Sequence, residues 1–148
     1  MTGQNPPHAF AIHLVLAWLA SIFKPNLIGV HLPIEASAAD REDSLPEPDL
    51  AAWELEFARR HPRGDELLLA VEIADSTAGF DLSRKALLYA SAVVPEYWVL
   101  DFERGRLVAH REPSEAGYRL TRWFAEPDTL ALTNCTETVR VGDLLPPD

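Results

Sequence analysis

Apolar positions along the chain fall into blocks with different periods. Ala9–Phe23 (AFAIHLVLAWLASIF) is a nearly unbroken apolar run of fifteen residues. Lys24-Pro25-Asn26 follows it, and proline cannot continue a helix, so the run predicts a helix over His8–Phe23. Such a helix belongs in a core, with small residues on its outer side and His13 as a satisfied core histidine. The run is too short to span a bilayer, and no basic residue precedes it as in a signal peptide. Leu27–Ile34 predicts a strand. Asp49–Phe57 alternates, with Leu50, Trp53, Leu55 and Phe57 apolar around Glu54 and Glu56, and predicts another. Between them, Ala36–Pro48 is polar and reads as an exposed loop, and His61–Asp65 carries the turn residues Pro62 and Gly64.

Leu67–Ala74 (LLLAVEIA) is apolar throughout except for Glu72, the pattern of a central strand covered on both faces. After a short connection at Ser76–Phe80, residues Asp81–Ala92 carry apolar side chains at helical spacing. Pro95 then opens a strand over Glu96–Phe102, and Gly105–Arg111 and Gly117–Phe124 predict two more. The tail is β-like or loop and ends in Pro146-Pro147. The order α, β, β, β, α, β and a β-rich tail contains one strand–helix–strand unit, which implies a parallel pair with a right-handed crossover. A mixed sheet with helices packed on it follows, in a single α/β domain over 1–148.

Composition narrows the function classes. The chain has 148 residues, 47% hydrophobic and 24% charged, which supports a packed core and excludes a disordered or collagen-like chain. The single cysteine, Cys135, excludes a disulfide scaffold and a cysteine-based zinc site and fits a reducing cytoplasm. A net charge of −10 excludes a broadly basic nucleic-acid surface, so any phosphate contact must be local or assisted by a metal. Arg59, Arg60, Arg63 and Arg84 are candidates for a local patch. Against 11 Arg there are two Lys, Lys24 and Lys85. Trp53, Trp98 and Trp123 remain open between core and interface.

Four positions carry candidate chemistry. Glu72 lies inside a buried strand, where an ionised carboxylate costs several kcal/mol unless it is paired or holds a metal. It is either a structural ion pair or a metal ligand, and on the residues alone the former is the commoner outcome. Asp49 stands where a loop enters a strand, as a turn carboxylate or as a second oxygen ligand to a hard divalent ion. Asp81 and Lys85, four apart on one helix, make a favourable surface pair or else turn Lys85 toward the strand of Glu72. Tyr89 shares that face, as packing or as a hydrogen-bond donor behind the site. None of the five histidines has metal-ligand spacing with another; His31, on the first predicted strand before Pro33, is the one to watch. No Ser/His/Asp arrangement, glycine-rich phosphate loop or zinc signature is present.

The stretch VEIADSTAGFDLSRKALLYASAVVPEYWVLD, Val71–Asp101, resembles the Uma-two family of restriction endonucleases, within the PD-(D/E)XK nuclease superfamily. The resemblance rests on Val71-Glu72, Ser76-Thr77, Asp81, Lys85, Tyr89-Ala90, Pro95-Glu96-Tyr97-Trp98 and Asp101. Upstream, Glu47-Pro48-Asp49-Leu50 matches the family's Glu-Pro-Asp-Leu, and His8 is similar to its helix-opening histidine. The likeness covers roughly residues 8–112. It departs at Pro7, where the family often has Glu, at Val93, where Gly is common, and at His31, where Gln or Glu is common.

Membership implies a restriction-endonuclease-like mixed β-sheet flanked by helices. It implies Asp49 and Glu72 as ligands for Mg²⁺, or Mn²⁺ in its place, with Lys85 as the catalytic lysine and Asp81, Tyr89 and His31 behind them. In the superfamily the lysine usually follows the acid by two residues on the same strand. That position is Ala74 here, so the lysine comes from the helix. The implied activity is hydrolysis of DNA phosphodiester bonds by a cytoplasmic protein without a membrane partner, with a homodimer left open. The alternative is a nuclease fold kept as a binding or regulatory module without turnover.

Overall fold

The computed structural model describes residues 6–35, 46–54, 60–74, 79–133 and 135–147, leaving aside the side chains of residues 79–82. Helix α1 spans Pro6–Ala20. Prolines at its first two positions lack only N–H groups that have no helical partner there. Ala11, Ile12, Val15 and Leu19 form its buried stripe. His13 is exposed, contrary to the expectation from sequence, because the stripe passes it by. The helix ends three residues short of Phe23, in turns closed by the Ser21 and Phe23 amides on Ala17 and Leu19.

Strand β1 is only Ile28–Val30. The expected continuation to Ile34 fails because His31 has φ 53°, outside the β region. Strand β2, Leu50–Trp53, is buried at all four positions. Of its expected extension through Phe57, Glu54 is an exposed bend and not strand, and residues 55–57 lie outside the described residues, as do Ala36–Asp40 and the rest of that loop to position 45. At the far end of the loop Pro48 is buried, not exposed. Strand β3 is Leu67–Ala74, as the apolar run predicts. Helix α2 (Gly79–Ser91) leads to β4 (Glu96–Asp101), and β5 (Arg106–Ser114) and β6 (Gly117–Ala125) form a hairpin. In the tail, β7 (Thr129–Ala131) and β8 (Thr138–Arg140) pair in a small separate sheet.

The main sheet has the order β1-β2-β3-β4-β5-β6. Only β3 and β4 are parallel, in register Glu72↔Val99, with α2 as their crossover; the other neighbours are antiparallel. The two-residue period of the strands sorts side chains onto two faces. Leu69, Val71 and Ile73 of β3, with Trp98 and Leu100 of β4, pack beneath α1 and the tail. Trp18 stacks on Trp98 at 5.3 Å. Ala70 and Ala74, with Tyr97 and Val99, pack on the α2 side. Glu72 shares that second face, so the small residues flanking it let α2 approach.

The turn from α2 into β4 is closed by the Val94 amide on Tyr89 and the Val93 amide on Ala90. This is the helix-ending motif that places a left-handed residue, usually glycine, just beyond the helix. Here that residue is Val93, at φ 62°. A β-branched side chain is strained there, by about 1–2 kcal/mol.

Candidate active site

Glu72 sits two residues before the end of β3 and is 5% exposed. Two side chains from successive turns of α2 reach it: the Tyr89 hydroxyl donates to Oε1 at 2.9 Å, and Lys85 Nζ lies 3.5 Å from Oε2. Lys85 remains nearly half exposed, so its ammonium stands at the mouth of the site. Burial raises Glu72 to a pKa of about 7, and the charge of Asp49 adds to the rise; Lys85 and Tyr89 oppose it. Tyr89 is itself raised, first by burial and then by the Glu72 charge.

Asp49 enters from β2. The antiparallel register Leu50↔Val71 places it next to Glu72 at its following step. Its Oδ2 accepts the Ile73 N–H at 2.8 Å, a side chain taking the place of a backbone rung where the strand has ended. Two histidines flank this carboxylate: His31 Nδ1 is 3.6 Å from Oδ1, and His8 Nε2 is 3.7 Å from Oδ2. His8 Nε2 also donates to the Ile73 carbonyl oxygen at 3.2 Å, tying the start of α1 to the end of β3.

Of the residues expected from sequence, Asp49, Glu72, Lys85, Tyr89 and His31 converge, while the Asp81 side chain lies outside the described residues. His8 joins them, although the sequence pattern alone does not place it in the site. Its one signal there is its position at the opening of the first helix. Of the four arginines in the candidate patch, Arg60 and Arg63 are paired with acids. Arg60 makes a two-pronged pair with Glu66 at 2.7 and 2.8 Å, Arg63 contacts Asp65 at 3.2 Å, and Arg59 lies outside the described residues. The Arg60 hydrogen bond, first among several, lowers Glu66 to about 2.

Among the described residues no three His, Cys, Asp or Glu side chains are grouped to hold a metal ion. Asp49 and Glu72 form a two-carboxylate set, the kind that suits Mg²⁺ because that ion keeps several waters. Two neighbouring buried carboxylates, one of them raised by burial and then by the other's charge, also present an anionic site that a cation would satisfy.

A mixed sheet with one parallel pair, its helical crossover, and an acid–lysine site near the carboxyl end of that pair define a restriction-endonuclease-like protein. The sequence pattern of the Uma2 family, described as "Putative restriction endonuclease", matches residues 1–144, and the chain belongs to that family. Among solved structures it is similar to "a putative nuclease belonging to DUF820 from Anabaena variabilis ATCC 29413". That likeness has 16% identity and a TM-score of 0.73, over 97% of this chain and 82% of the other, and it establishes the fold. No protein of curated function matches. No helix among the described residues is long and apolar enough to cross a membrane.

Proposed function

We propose that the protein is a Mg²⁺-dependent endonuclease that hydrolyses DNA phosphodiester bonds, with residues 1–148 acting as one catalytic domain. The observation that carries this reading is the convergence of Lys85 and Tyr89 from α2 on buried Glu72, with Asp49 alongside. Family membership supplies the reaction class. Asp49 and Glu72 would hold Mg²⁺, or Mn²⁺ in its place. When bound, the ion supplies Lewis-acid polarisation and makes water more acidic.

The chain's own groups do the rest. In hydrolysis, water adds to phosphorus, one ester P–O bond breaks, and the departing oxygen takes up a proton. Negative charge grows on the phosphoryl oxygens during this step. Lys85, a compact cation at the mouth of the site, is placed to offset that charge or to orient the water. Tyr89 fixes the Glu72 carboxylate through Oε1. His8 and the Ile73 amide hold the end of β3 and Asp49 in place. The alternative, a module without turnover, gives no reason for an ammonium to be directed at an incompletely compensated buried acid.

Incubation of plasmid DNA with the purified protein and Mg²⁺ tests the proposal. Wild type should cleave, and Glu72→Ala and Lys85→Ala should each lose about 10²-fold or more in rate. Cleavage that survives both substitutions would remove this site from the reaction.

A further inference from the structure

Helix α2 presents Lys85 and Tyr89 to Glu72, and Ser83, Ala86 and Leu87 to a groove of about 480 Å³ that it forms with β5 and β6. The floor includes Val99, the register partner of Glu72, so the groove begins one strand from the site. Also in the lining, His110 clusters with the rings of Tyr97 and Tyr118, 5.5 Å from each while those two are 6.3 Å apart, and its Nδ1 is 3.2 Å from the Thr121 hydroxyl. Two large apolar side chains in the lining stay exposed: Leu87 at 53% and Trp123 at 58%. The Arg106 guanidinium lies over one face of the Trp123 indole, 4.1 Å from its centroid. Arg106 Nε is also 3.5 Å from Asp101 Oδ2.

A single exposed apolar residue is ordinary on a protein surface. Here, however, an indole stacked on a guanidinium faces a slot with an apolar floor and polar groups at its edges. A heterocyclic base has the matching form, with apolar π faces and a rim of donors and acceptors. Arg106 places positive charge at this spot in a chain of net −10. Neighbouring strands are about 4.8 Å apart, so β6 lies about 14 Å across the sheet from β3. That is within reach of bases flanking a phosphodiester held at Glu72.

We propose that this groove receives an unpaired nucleobase, stacked on Trp123, from a strand whose backbone lies at Glu72 and Lys85; the proposal rests on the nuclease reading above. It assigns the enzyme single-stranded or locally opened nucleic acid as substrate.

Binding measured in chelator separates this inference from catalysis. A dye-labelled short oligothymidylate is titrated by anisotropy and by quenching of tryptophan emission, beside the same strand annealed to its complement. The single strand should bind and quench. Trp123→Ala should weaken it about five- to hundredfold, as expected for loss of one stacked base. Leu87→Glu, on the opposite wall and also exposed, should weaken it too, and the duplex should bind less tightly and ignore both changes. Unchanged single-strand affinity in both variants overturns the proposal. So does a duplex that depends on Trp123 as the single strand does. Loss of concentration-dependent self-association in the variants, with oligonucleotide affinity intact, would assign the groove to a second copy of the chain. Cleavage that needs Glu72 but not Trp123 would sink this inference alone. Trp123-dependent binding without any cleavage would sink the catalytic reading alone.

Discussion

Glu72 and Glu96 lie on adjacent strands, both nearly inaccessible, yet their surroundings are opposite. Glu96, on the α1 side of the sheet, receives the Trp98 indole N–H, the Arg111 guanidinium, and both the amide and hydroxyl of Thr133. Arg111 also donates to the Ala131 carbonyl, so this carboxylate fastens the tail to β4. Glu72, on the α2 side, has the Tyr89 hydroxyl and a half-exposed lysine 3.5 Å away, with Asp49 adding negative charge. Burial alone therefore does not mark a candidate functional acid. The separating feature is how completely the protein's own donors answer the charge.

The largest test of this contrast is removal of each acid. Glu96→Ala strands Arg111 and several buried donors, and should cost about 3–5 kcal/mol in urea unfolding. A cost below about 1 kcal/mol would mean the network is ornamental. Glu72→Gln should move the other way. Relieving a carboxylate raised from 4.5 to about 7 should stabilise the metal-free protein by up to ~3 kcal/mol above neutral pH, while cleavage is lost.

The same shift fixes a pH dependence. Below about pH 4.5 Glu72 is protonated in both folded and unfolded chains and costs nothing. Between about 4.5 and 7 the unfolded chain releases the proton first, so metal-free stability should fall as pH rises and level off above 7. Unfolding midpoints across that range, in chelator, should show this slope in wild type and lack it in Glu72→Gln. An identical slope in both proteins would assign it to other groups.

The smallest effect sharpens the contrast by separating electrostatic from backbone tension on the α2 side. Val93→Gly relieves the left-handed strain at the helix end, partly offset by the greater freedom of glycine in the unfolded chain. It should stabilise by about 1 kcal/mol. The pH slope should stay as it was, because Glu72 is shifted by burial, Asp49, Lys85 and Tyr89, and Val93 carries no charge or side-chain donor. Destabilisation instead would show that the valine side chain packs more than it strains.

The central strand is legible in the sequence because an uninterrupted apolar run of eight with one acid in it fits little else than a strand covered on both faces. Lys85 and Tyr89 are legible because a spacing of four keeps them on one helix face. The role of Asp49 is half visible: its position before β2 is clear, but not that its carboxylate accepts the Ile73 amide. Glu96 shows only as part of Pro-Glu-Tyr-Trp, since its donors come from up to 37 residues away. His13 defeats the pattern because letters in an apolar run do not say which side of a helix meets the sheet. The pattern overextends β1 because nothing in local composition announces the positive φ of His31.

That the lysine arrives on the crossover and not on the strand itself has a consequence for how the molecule matures. A chain whose sheet has formed but whose second helix has not yet seated would own both acids and no ammonium. If the site works as proposed, competence would require that helix to be seated, and a half-folded copy would be inert.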